Sequence, residues 1–164
     1  MRLDKNSLYF KVHQLLKCGD VDVYIDMDGV LAEYKYGEGS KILNGDTYVY
    51  SQKRPIKTII KFIKKYYKSN NFYILTSCIK ENQVEAKKEW VKKYLPFFNQ
   101  DNIVCLVSKD FESRINDKVN DISQRVNSRN KKSILIEDTH EILKKSWEQN
   151  KELLLPVLVI NLIK

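Results

Sequence analysis

Two aspartates, Asp26 and Asp28, stand one residue apart at the end of an apolar run over 21–25, and Gly29 follows them. In extended chain, residues i and i+2 share a side. Two carboxylates so placed repel each other unless a metal ion, a shared proton or solvent relieves them. At the carboxyl end of a strand this arrangement points to chemistry. Its plain competitor is an Asp-Gly turn after a strand. Similar residues close later apolar runs. Thr76 and Ser77 follow 72–75, Lys109 follows 103–107, and Glu137 and Asp138 follow 133–136. A phosphate group calls for this mixture of a hydroxyl donor, an ammonium and carboxylates that can hold a hard divalent ion. Taken singly, Lys109 reads equally well as a solvated surface lysine and Thr76 as a helix cap. Their joint placement at successive strand ends is what chance explains poorly.

The elements that must carry these residues alternate. Residues 5–17 pattern as a helix, with Leu8, Val12, Leu15 and Leu16 inward. A strand covers 21–26. A glycine-rich stretch over 29–50 reads as a loop with a small hairpin, Asn44-Gly45 marking a turn and 47–50 a strand. Residues 53–67 read as a helix with Pro55 near its start and Ile56, Ile59, Ile60 and Ile63 on one face. Strands at 72–75, 103–107, 133–136 and 157–160 enclose helices at 81–95, 111–130 and 139–150. Continuous apolar strands alternating with helices predict one α/β domain over 1–164. The expected architecture is a three-layer sandwich around a central parallel five-stranded sheet. Ligands of such sheets bind beyond the carboxyl ends of the strands, where all the residues above fall.

Composition sets the outer limits. At 164 residues and 43% hydrophobic content, the chain can bury one core of ordinary size. The longest apolar run, 153–160, is interrupted by Pro156 and is too short to span a membrane. Residues 1–6 carry no signal-peptide pattern. Cys18, Cys78 and Cys105 form an odd, dispersed set that matches no metal spacing and fits a reducing compartment, so a cytoplasmic location is expected. With only His13 and His140, a transition-metal centre is not expected, and carboxylates favour Mg²⁺. The net charge of +8 suits anionic substrates. A dedicated nucleic-acid surface is not favoured, because lysine excess beside 16 Ile, 13 Asn and 2 Ala fits coding bias. The oligomeric state cannot be read from the chain.

Asp26-Met27-Asp28-Gly29-Val30-Leu31 resembles the first motif of the haloacid dehalogenase (HAD) superfamily of phosphohydrolases. Ile74-Leu75-Thr76-Ser77 resembles the second motif, and Leu135-Ile136-Glu137-Asp138 the fourth. Lys109 is the candidate for the third, with Lys118 as its rival. Lys87 and Lys88 suit it less, because they follow Ser77 within a helix. The resemblance spans 21–160 and implies a HAD-like, Rossmannoid fold with a minimal cap at 32–50. It implies a Mg²⁺-dependent phosphomonoesterase acting through an aspartyl-phosphate. Asp26 would be the nucleophile and Asp28 the acid and base. Thr76, Ser77 and Lys109 would hold the phosphoryl group. Asp26, Asp28 (through its backbone carbonyl) and Asp138 would hold the metal, with Glu137 beside them. Glu137 stands where many relatives have aspartate, so which fourth-motif acid touches the ion stays open. Asp-Met-Asp-Gly-Val-Leu-Ala, the Leu75-Thr76-Ser77 turn and the 87–91 segment look most like small 5′(3′)-deoxyribonucleotidases. That implies a nucleotide substrate. The alternatives are a phosphatase for polynucleotide ends or another small phosphomonoester, and a nonhydrolytic phosphate-ligand binding protein.

Overall fold

The computed structural model describes residues 7–162. The first positions of the helix expected over 5–17, and the N-terminal residues read for a signal peptide, lie outside these. Five strands, β1 (Asp22–Ile25), β2 (Phe72–Cys78), β3 (Ile103–Val107), β4 (Ser133–Glu137) and β5 (Leu154–Leu158), form one parallel sheet in the order β3-β2-β1-β4-β5. The helices are α1 (Leu8–Cys18), α2 (Glu38–Leu43), α3 (Tyr48–Gln52), α4 (Lys57–Tyr66), α5 (Asn82–Tyr94), α6 (Phe111–Arg129) and α7 (His140–Gln149).

Strand side chains alternate between two faces, and each face has its own core. Val23, Ile25, Ile74, Ile134 and Ile136 pack with Val12 and Leu16 of α1, Ile59 and Ile63 of α4, and Trp90 and Val91 of α5. Tyr24, Leu75 and Leu135 pack with Ile115, Val119, Ile122 and Val126 of α6 and with Ile142 and Leu143 of α7. The result is the three-layer α/β sandwich that the alternating elements predict.

Three elements differ from expectation. The stretch expected as a hairpin holds two short helices, α2 and α3. Val49 and Tyr50 are both buried, a helical rather than an alternating pattern, and the Asp46 carboxylate accepts the Tyr48 N–H at 2.9 Å as α3 begins. The helix expected from residue 53 starts at Lys57, because Pro55 and Ile56 bond or bridge to Ala32 and Leu31 instead. The last strand begins at Leu154 rather than 157. Pro156 sits within it, which an edge strand tolerates because one side of its ladder is empty. Among the described residues, no helix is long and apolar enough to cross a membrane.

Candidate active site

Strand order explains why distant residues meet. β1 lies between β2 and β4, with Ile25 opposite both Ile74 and Ile136, so Asp26 falls level with Glu137 of β4 and with Leu75 of β2, and Thr76 stands one residue further along β2. The Asp26 N–H donates to the Ile136 carbonyl at 3.0 Å, which carries the pairing one residue beyond β1. The chain then turns tightly. The Met27 carbonyl accepts the N–H groups of Leu31 and Ala32 at 2.9 Å each.

Face parity decides which lysine reaches which acid. Asp26 and Glu137 continue the face of Tyr24 and Leu135, over which α6 packs. Lys118 of α6 is buried there, its ammonium donating to Asp26 Oδ1 at 2.5 Å and Glu137 Oε2 at 2.6 Å. Thr76 continues the opposite face, beside α5. Lys87 of α5 is buried there and donates to Thr76 Oγ1 at 2.7 Å, Asp28 Oδ2 at 2.6 Å and the Ser77 carbonyl at 2.6 Å. Because Thr76 Oγ1 accepts from Lys87, its own O–H is left to donate to a ligand. Ser77 Oγ is buried without a hydrogen-bond partner among the described residues, and it lines the same cavity.

Lys109 does not reach this cluster. It is exposed after β3, an edge strand separated from β1 by β2. The lysine beside Asp26 is Lys118, and a helix crossing the sheet delivers it where a strand end could not. Two further lysines carry charge into the site: Lys87, which sequence order makes a weaker candidate than Lys109 or Lys118, and Lys53, which it does not single out. Lys87 and Lys118 carry a readable signal. Lys87 shares a helix face with Gln83, Trp90 and Val91, and Lys118 sits between Ile115 and Val119 on an apolar stripe. A lysine on a buried face calls for an acid to pair with.

The electrostatics follow from burial. Burial, and then the nearby Glu137 charge, push the Asp26 carboxyl up to about 6 despite Lys118. Glu137 is raised for the same first reason. Burial also acts to raise Asp28, but Lys87 and Lys53 outweigh it and hold that carboxyl below its ordinary value. Lys118 is raised above the ordinary lysine value, because its two carboxylates overcome the effect of burial.

Asp26, Glu137 and Asp138 each offer an oxygen within 4.8 Å of the others, a hard donor set suited to a divalent cation. The surroundings fit such an ion. Gly29 has φ +79°, and a Cβ on it would lie 2.0 Å from Asp138 Oδ2, so the missing side chain is what admits the Asp138 carboxylate. Glu137 is differently occupied. Its Oε1 accepts the N–H groups of Asp138 and Thr139 at 3.1 Å each, and its Oε2 accepts from Lys118. Gly29→Ala should therefore displace Asp138. We expect it to weaken divalent-cation binding at this donor set about ten- to a hundred-fold, read as the ion concentration that raises the melting temperature.

No protein-family model and no curated protein matches the sequence. Among solved structures, the HAD domain of effector protein Lem4 from Legionella pneumophila superposes with a TM-score of 0.55 at 12% identity. The match covers 84% of this chain and 85% of that one. The chain has the HAD-like fold. In that frame, α2 and α3 form the small cap region over the carboxyl edge of the sheet, and the acidic cluster beneath it is a candidate site for a metal ion. The cavity between cap and sheet is about 560 Å³. Asp26, Asp28, Thr76 and Ser77 lie at its floor, and Tyr34, Ile42, Leu43 and Ile79 are among its walls.

Proposed function

We propose that the chain is a Mg²⁺-dependent phosphomonoesterase, a single HAD-like domain, in which Asp26 attacks phosphorus and becomes an aspartyl-phosphate. The observation that carries this reading is the placement of Asp26: buried, held at one oxygen by Lys118, and grouped with the Asp138 carboxylate. The lysine fixes the nucleophile's orientation and offsets the charge of an arriving phosphate. The Thr76 hydroxyl and Ser77 Oγ donate to phosphoryl oxygens. Asp28, which Lys87 and Lys53 hold ionised in the free protein, would take up a proton as the anionic substrate enters, give it to the leaving oxygen, and then take one from the attacking water. Asp26, Asp138 and the backbone carbonyl of Asp28 would hold Mg²⁺, which supplies positive charge against the transferring group. Glu137 we read as the group that anchors Lys118 and the 138–139 turn, because both of its oxygens already accept from these. This accounts for a glutamate where many relatives have aspartate.

A nucleoside 5′-phosphate is the favoured substrate. The cavity has room for a nucleoside, and Tyr34 with Ile42, Leu43 and Ile79 offers it an apolar wall. The test is a phosphate-release screen over an aryl phosphate, ribo- and deoxyribonucleotides, sugar phosphates and a 5′-phosphorylated oligonucleotide. We expect release only with Mg²⁺ or a similar ion, and fastest with a mononucleotide. Release from the oligonucleotide alone, falling steeply with salt, would move the substrate to polynucleotide ends. Phosphate binding without release from any substrate would make the chain a nonhydrolytic binder.

A further inference from the structure

Lys53 has only 1% of its surface exposed, yet it is a charged side chain in a non-helical segment after α3. A lysine is buried this deeply only when acids hold it. Its ammonium donates to Glu38 Oε2 at 2.7 Å, lies 3.2 Å from Asp28 Oδ1 and reaches the Glu33 carbonyl at 3.4 Å. It also stands 5.1 Å from the centre of the Tyr34 ring and 5.9 Å from that of Tyr50. The Lys53 backbone is fixed separately, because the Trp90 indole N–H of α5 donates to its carbonyl at 3.0 Å. Lys53 is thus anchored to the body of the fold while its side chain holds a cap residue and a site carboxylate together.

Glu38 opens α2, a helix with no buried residue. Polar ties therefore do most of the work of holding that helix down. The others are Gln83 Nε2 to the Ile42 carbonyl at 2.7 Å and Asn82 Nδ2 to the Gly45 carbonyl at 3.1 Å. Only the Glu38–Lys53 pair continues, among these three, to Asp28. From there Lys87 carries the contacts on to Thr76. We infer that Lys53 is a positioning residue that couples the cap, through Glu38, to the Asp28 carboxylate, so that a leaving group contacting the cap and the acid serving it are held in register. This rests on the phosphomonoesterase reading for the role of Asp28, while the coupling itself rests on the contacts.

The test compares wild type, Glu38→Gln, Lys53→Met and the double variant, each first shown to be folded by circular dichroism. The primary readout is the ratio of kcat/KM for an aryl phosphate to that for an alkyl phosphate. Misplacing Asp28 harms the poorer leaving group more. Each single variant should therefore raise that ratio about tenfold, and the double variant should match Lys53→Met alone. Equal losses with both substrates, or additive effects, would overturn the coupling. Hydrogen exchange is read on the same proteins. Glu38→Gln should speed exchange about tenfold over both 38–52 and 28–32. Faster exchange confined to 38–52 would also overturn the coupling. If wild type releases no phosphate, the phosphatase reading falls and exchange alone decides the coupling. If Lys53→Met does not fold, Glu38→Gln carries both readouts.

Discussion

Asp26→Asn should lower turnover by about four orders of magnitude and, in chelator at pH 8, give a more stable protein than wild type. The two effects share one cause. Asp26 is buried, and burial followed by the Glu137 charge raises its carboxyl to about 6. An unfolded chain releases that proton near pH 3.9, about the usual aspartate value. Between these values the folded state binds more proton than the unfolded state. The stability contribution of Asp26 therefore falls as pH rises from about 4 to about 6 and stays low above that. Asparagine escapes this cost while its amide oxygen can still accept from Lys118. The variant should gain about 1–3 kcal/mol over wild type at pH 8, a gap that closes near pH 4, read by urea unfolding in chelator. Saturating Mg²⁺ should reverse the order, because an ion bound at the proposed site stabilises the protein that keeps its carboxylate, by about 4.1 kcal/mol at a thousand times its Kd. A variant less stable than wild type at pH 8 without metal would show that Asp26 carries no burial cost.

Lys118→Met should be the single change in the site that costs the most stability, and Lys109→Ala should leave kcat/KM within about twofold of wild type. Methionine keeps most of the lysine stem but removes the ammonium between Asp26 and Glu137. Both of those carboxylates are buried, at 6% and 1% exposure. Leaving them unpaired should cost about 3–5 kcal/mol at neutral pH. Acidification should return part of this loss, because each carboxyl, already raised, can then take up a proton and shed its charge. Activity should fall about 10²–10³-fold as the charge beside the proposed nucleophile disappears. Lys109 is exposed after an edge strand and contacts none of these groups. Parallel urea and kinetic measurements on the two variants check this. A Lys109→Ala protein as inactive as Lys118→Met would contradict the placement of the phosphate-facing cation.

The sheet was legible because buried parallel strands are continuous apolar runs, and each ends in the polar residues that its exit from the sheet allows. Asp26, Thr76, Glu137 and Asp138 fall within one or two residues of those ends. The lysines were harder to place. Sequence order puts Lys109 at a strand end, but spatial order puts that strand at the sheet's edge, and only topology reveals the difference. Lys87 and Lys118 are written as helix residues in lysine-rich surroundings, and a single turn decides whether a lysine meets solvent or an acid. The hairpin expected within the cap region is replaced by helices, although Asn44-Gly45 followed by Thr47-Tyr48-Val49-Tyr50 carries turn and strand signals. Contacts to α5 through Asn82 and Gln83, far along the chain, accompany its short helices instead. Pro156 hid the start of β5 for a similar reason, since its tolerance depends on an edge position that local sequence does not encode.

The nucleophilic role of Asp26 is tested most directly by acid quenching during turnover of an aryl phosphate with Mg²⁺, followed by peptide mass mapping. The expected result is one phosphoryl group on the Asp26 carboxylate, absent from Asp26→Asn. A phosphoryl group on another side chain, or steady turnover with no phosphorylated protein at any quench time, would contradict it.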